Sequence, residues 1–134
     1  MCDDVITVFN ARVDPATGYE VYAPTVLAGC RWFSRVESAV TESGLKAQCR
    51  LTARIPGDVD AGGKRYVDPA EYRGAADASG LWTLGQGDVL VLGAVSGEAA
   101  PAALRQRFDQ CFTVLGVTDN RSAPRGGHWR VEGA

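Results

Sequence analysis

Leu45-Lys46-Ala47-Gln48-Cys49-Arg50-Leu51-Thr52-Ala53-Arg54-Ile55 is the stretch on which the fold turns. Leu45, Ala47, Cys49, Leu51, Ala53 and Ile55 alternate with Lys46, Gln48, Arg50, Thr52 and Arg54, and a period of two over this length marks a half-buried β-strand. Its polar face carries three cations, which suits solvent, acidic neighbours or another subunit. Pro56-Gly57 ends it, because proline has no N–H to give to a ladder.

Upstream, Val5 to Phe9 reads as a first strand, Asp14 to Gly18 as a turn and Tyr19 to Tyr22 as the return of a hairpin. Pro24 then restarts the chain into an extended segment, Thr25 to Val36, that contains Trp32 and Phe33. Downstream, Gly57 to Gly63 is a polar loop with Asp58, Asp60, Gly62 and Gly63, followed by the short apolar piece Tyr66-Val67. Asp68 as N-cap, Pro69 at the first helical position and Glu71 at the third predict one helical turn over Pro69 to Arg73. Gly74 to Gly80 is a second loop of small residues.

Trp82 opens a turn that feeds Val89-Leu90-Val91-Leu92, a short unbroken aliphatic run of the kind covered on both faces. A helix follows over Pro101 to Gln110, with Leu104 and Phe108 on one face. Phe112 to Val117 is a strand, Thr118 to Gly127 a polar hairpin-like loop, and His128 to Val131 the last strand. The predicted fold is mainly β: a single domain over residues 1–134, a small β-barrel or sandwich carrying one late α-helix.

Composition fits that picture. Of 134 residues, 46% are hydrophobic and 22% charged, the balance of a folded domain. A net charge of −2 supplies no positive field toward phosphate backbones or anionic lipid, so tight nucleic-acid binding is disfavoured and no membrane contact is expected. Met1-Cys2-Asp3-Asp4 lacks the start of a secretory signal, and no run of about 18 apolar residues occurs. Cys2, Cys30, Cys49 and Cys111 form no Cys-x-x-Cys pair and read as buried or half-buried thiols.

No catalytic set is complete. His128 is the sole histidine, so a two-histidine metal site or a histidine relay has one member at most, and beside Trp129 it reads as a surface or interface residue. Gly85-Gln86-Gly87-Asp88 precedes a strand, whereas phosphate loops follow one and open a helix; it reads as a turn. Asp58 and Asp60 lack the distal glutamate of a calcium loop. The expectation is a non-enzyme with no cofactor and no metal. Trp32, Trp82 and Trp129 suit core edges or interfaces, and Trp32 and Trp129 sit beside Arg31 and Arg130, a combination enriched in protein contacts. The interface candidates are therefore Trp32, Arg50, Arg54, Trp82, His128 and Trp129.

Several motifs follow one another in a fixed order: Asp14-Pro15-Ala16-Thr17-Gly18, Gly29-Cys30-Arg31-Trp32, Arg54-Ile55-Pro56, Tyr66-Val67-Asp68-Pro69, Trp82-Thr83-Leu84 running into Gly87-Asp88-Val89-Leu90-Val91, Phe112-Thr113-Val114-Leu115, and His128-Trp129-Arg130-Val131-Glu132-Gly133. The series resembles a family of small virion proteins of tailed phages, the minor capsid or head-tail connector class. It is similar, more distantly, to the head-closure (stopper) proteins of the phage neck. The resemblance implies a homo-oligomeric ring between the portal-adaptor complex and the tail terminator or tail tube, in transient contact with packaged DNA. It further implies a virion component made in the host bacterial cytoplasm. One loop per subunit would narrow the channel, with Gly57 to Gly63 and Gly74 to Gly80 as candidates. A tail-terminator or tail-completion protein and, from another class, a small ligand-binding β-barrel of cellular origin are the alternatives.

Overall fold

A computed structural model describes the backbone of residues 4–14, 16–41, 44–97 and 100–133, and the side chains of the same residues outside 34–50. In chain order the elements are β1 (Asp4–Val13), β2 (Glu20–Thr41), β3 (Gly44–Pro56), β4 (Arg65–Tyr66), α1 (Pro69–Gly74), β5 (Leu81–Trp82), β6 (Val89–Leu92), α2 (Pro101–Arg107), β7 (Cys111–Asn120) and β8 (His128–Gly133). The protein is mainly β, as the alternation predicts.

The six longer strands pair antiparallel in the closed order β1-β2-β3-β8-β7-β6. The ring is also sandwich-like, because two of its strands turn corners. Up to Cys30, β2 pairs with β1; from Arg31 onward it pairs with β3. Likewise β7 pairs with β6 through Thr113 and with β8 from Val114. Each corner coincides with a register shift, at Asp4/Ile6 of the β1–β2 ladder and at Val114/Gly116 of the β7–β8 ladder. An extra residue on one strand bends it and strengthens its twist, which is how a strand passes from one face to another. At the first corner Gly29 has φ 82°, a conformation in which glycine escapes a steric penalty.

β2 runs unbroken for 22 residues, so Pro24 does not restart the chain as the sequence suggested. Pro24 pairs opposite Phe9, yet its carbonyl accepts a hydrogen bond from Lys64 Nζ at 2.9 Å. A strand residue points its N and its O to the same side, so the missing N–H faces away from β1 and interrupts nothing. Two further boundaries differ from expectation. The late helix stops at Arg107 instead of Gln110, because Phe108 turns extended (φ −128°, ψ 124°) while its N–H still reaches the Leu104 carbonyl. β7 extends to Asn120, which shortens the following loop to residues 121–127.

The interior is filled by Ile6, Val8, Leu27, Leu51, Ala53, Ile55, Leu90, Phe112, Val114 and Val131, with Trp82 and Trp129 toward one end. A second cluster, Phe9, Val89, Val91, Val95, Leu104 and Cys111, lies on the other side of β1 and β6 and is covered by α2. Within β6, Leu90 therefore faces one core while Val89 and Val91 face the other, and an uninterrupted aliphatic run is what such a strand needs. Cys30 and Cys111 are buried thiols; Cys2 and the Cys49 side chain lie outside the described residues.

The chain between β3 and β6 leaves and re-enters at the same end of the barrel. This excursion carries α1 and the parallel pair β4–β5, which sequence reading missed. Asp68 and Pro69 open α1 at the predicted place, although the Asp68 side chain makes no capping hydrogen bond. Tyr72 on α1 is buried, and Arg12 of β1 lies over its ring at 5.7 Å while donating to the Ala75 carbonyl. The excursion thus caps the barrel end.

Candidate interaction face

The alternation in β3 sets the chemistry of one outer face. Leu51, Ala53 and Ile55 point inward, so Arg54 points out. Register places Arg31 of β2 directly opposite Arg54 on one side and Arg130 of β8 opposite it on the other. Three exposed arginines therefore stand abreast on three adjacent strands, which lie about 4.8 Å apart. Like charges in direct cross-strand register are destabilising. Among the described residues only Arg130 of the three has a carboxylate, Glu132 at 2.9 Å. Arg31 lies over the half-exposed ring of Phe33 at 4.7 Å, and Arg54 makes a long contact of 3.5 Å with the Gly126 carbonyl. Arg50 is paired by its backbone with Arg35; its side chain lies outside the described residues.

At the end of this face an open cleft of about 510 Å³ is lined by Arg54, Pro56, Asp58, Gly126, Gly127 and His128. His128 is half-buried, opposite Pro56, with its Nδ1 2.8 Å from the Gly126 carbonyl. The Gly57 N–H donates to the Gly127 carbonyl at 2.8 Å and ties the two loops together. His128 and Arg54 thus line one cleft.

Trp82 and Trp129 do not belong to it. Each is 2% exposed, and both are core residues and not interface ones. Their rings meet edge-on at 5.4 Å, and Tyr66 packs against both, at 5.1 Å from Trp82 and 4.5 Å from Trp129. Trp32 differs: it is half-buried, tilted against Phe112 at 5.1 Å, and its indole N–H donates to Gln110 Oε1 at 2.9 Å. It remains a surface residue.

Sequence reading missed Arg121. Its guanidinium covers Trp129 at 4.6 Å and Tyr66 at 5.0 Å, closing the aromatic cluster from outside. Asp119 holds it through both carboxylate oxygens, at 2.7 to 3.1 Å. The Arg121 hydrogen bonds pull the Asp119 carboxyl down to about 2. Because that value is depressed, the stabilisation is present above the ordinary carboxylate range and is lost as pH falls toward 2. Carboxyl-carbon NMR should give an Asp119 midpoint near 2. In Arg121→Gln the midpoint should return to the ordinary range; an unchanged midpoint would show that Arg121 is not its cause.

The two loops proposed from sequence are both tethered. In the first, the Ala28 N–H donates to the Asp60 carbonyl at 3.1 Å, Asp60 Oδ1 accepts from the Gly62 N–H at 3.0 Å, and Ala61 is buried. Its exposed tip is Gly62-Gly63, with φ 67° and 88°. Asp58 is exposed beside the cleft. In the second loop, Arg12 grips Ala75, Asp77 accepts from the Ser79 N–H, and the Gly80 carbonyl accepts from the Arg65 N–H.

Gly85-Gln86-Gly87-Asp88 is a turn, with the Asp88 N–H donating to the Gly85 carbonyl. Its aspartate proves to be a buried tie: Oδ2 accepts from Asn10 Nδ2 at 2.8 Å and Gly85 N at 3.0 Å, and Oδ1 from Ala11 N at 3.0 Å. Among the described residues no group of three or more His, Cys, Asp or Glu side chains is placed to hold a metal ion.

Residues 1–134 match the profile of a family described as "Family of unknown function (DUF6751)". The chain belongs to the DUF6751 family. No curated protein and no solved structure matches it. Within this DUF6751 chain, the arginine row and its adjoining cleft form the candidate interaction surface.

Proposed function

We propose that the chain is a structural component of a tailed-phage virion, a head-closure ring subunit that links the portal-adaptor complex to the tail and helps retain packaged DNA. The reading starts from the sequence resemblance, and the arginine row is the observation that carries it. Three cations in register, two of them with no carboxylate against them among the described residues, cost stability in an isolated subunit and suit a surface that an acidic partner covers. In such a ring the tethered loop with the Gly62-Gly63 tip is the better channel element of the two candidates, because both of its flanks are fixed and only its end projects.

The alternatives have less support. The barrel interior is occupied by its own side chains, which leaves the outer cleft as the place for a small ligand. Tail terminators carry more helix than two elements of six and seven residues. No helix among the described residues is long and apolar enough to cross a membrane.

The test is to separate DNA-filled heads, free tails and whole particles from phage-producing cells, and to quantify the chain in each by mass spectrometry. It should accompany filled heads and whole particles at a fixed ratio to the portal protein. Recovery with free tails would favour the terminator, and absence from all three would overturn the virion reading.

A further inference from the structure

We propose that the row Arg31–Arg54–Arg130 is one half of a self-interface, and that its other half is the acidic end cap of a second copy, centred on Asp68 and Glu71 of α1. Asp58 lines the cleft beside Arg54; beyond it the cap, residues 59–80, holds four carboxylates (Asp60, Asp68, Glu71 and Asp77) against Lys64, Arg65 and Arg73. Lys64 is turned inward: its ammonium donates to the Pro24 carbonyl at 2.9 Å and to Thr25 Oγ1 at 3.0 Å, so it does little to neutralise the cap's outer surface. Asp68 and Glu71 are exposed, and a spacing of three places them as neighbours on one side of the helical turn. Asp68 lies in the field of Arg121, whose guanidinium is already gripped by Asp119. Among the described residues neither Asp68 nor Glu71 forms an ion pair.

The sheet face presents three arginines in register, the end cap exposes Asp68 and Glu71 together with Arg65 and Arg73, and the two patches belong to different elements of one chain. Two unlike, complementary patches on each subunit make a heterologous contact, the kind that propagates and closes into a ring where the rotation permits. Nucleic acid is the competing occupant, but a chain with net charge −2 builds no general field toward phosphate. A second copy supplies the carboxylates directly, and arginine accepts them in two-pronged geometry. This deepens the ring reading and rests on it for the form of the assembly; self-association itself is measurable on the purified chain.

Native mass spectrometry and sedimentation of the full chain, at low and at high salt, give the test. Wild type should associate at low salt and dissociate as salt rises. Arg31→Glu with Arg54→Glu should weaken association at least tenfold, and so should Asp68→Lys with Glu71→Lys. Mixed, the two variants should associate with each other while each alone stays monomeric. All four positions are exposed, and an unchanged thermal melt confirms folding. A wild type monomeric at every concentration, or an oligomer indifferent to both reversals, overturns the proposal. So does a monomer that binds a short DNA duplex through the row and loses that binding in the arginine variant. If association behaves as stated but the chain is missing from particles, the virion reading fails and the interface stands; the opposite pair of results removes the interface alone.

Discussion

Trp129→Ala should lower the free energy of unfolding by about 3 to 5 kcal/mol, as truncating a buried tryptophan commonly does. The reason lies in what the ring supports. Trp129 is 2% exposed and meets Trp82 and Tyr66, and Arg121 rests on its outer face. Removing it opens a cavity beneath the end cap and leaves the guanidinium without its aromatic platform. Trp129→Phe should cost less than half as much, because it keeps a ring and discards the indole N–H, which is buried with no acceptor among the described residues. Denaturant unfolding followed by far-ultraviolet circular dichroism checks both. A loss below about 1 kcal/mol for the alanine variant would mean that the cluster does not hold the cap to the barrel.

Asp88→Ala should cost about 3 kcal/mol at neutral pH, since buried donors that lose an acceptor each carry a penalty of roughly 1 to 3 kcal/mol. The carboxylate joins β1, through Asn10 and Ala11, to the turn at Gly85 that leads into β6, and so fastens the strands at the capped end. Burial pushes the Asp88 carboxyl above its ordinary value, against the opposing pull of those donors. The folded chain then holds a proton that the unfolded chain has already released. Stability accordingly falls as pH rises from the ordinary carboxylate value through the raised one, and levels off above it. Asp88→Asn should abolish that slope at an intermediate cost, because its oxygen still accepts on one side while its amide nitrogen opposes a donor on the other. Melts across pH 3 to 8 read the slope, and a slope identical in the two proteins would rule out Asp88 as its source.

Part of this architecture is readable from residue order. β3 is legible because its alternation runs for eleven positions, and β6 because a strand between two cores has no polar face. The boundary at Pro24 was misread because proline disrupts only the ladder its nitrogen faces, and a single strand does not say which side that is. β4 and β5 are two residues each, too short to express any period. The tryptophans illustrate a different limit. Arg130 follows Trp129 in sequence, but consecutive strand residues point to opposite faces, so an exposed arginine argues for a buried tryptophan and not for a shared interface. The arginine row was invisible for a related reason. Arg31, Arg54 and Arg130 lie far apart in the chain and become one surface only through the pairing register.

The place of β8 in the strand order has a consequence for how the protein is made. Every ladder up to β6 can form from chain already synthesised, but the ring is completed only when β8 slots between β3 and β7. Its partners in β3 are more than 70 positions earlier, from Leu51↔Gly133 to Pro56↔His128. Closure therefore requires a distant contact and is intrinsically slow. Any chain stopped before His128 leaves two strand edges unpaired, one of them bearing Arg54 within the stretch that β8 would cover, and open edges are what foreign strands attach to. Arg54 at that edge, uncompensated and repelling its own kind, makes the growing chain a poor template for another copy of the same intermediate. A charge that strains the finished barrel thus protects the unfinished one.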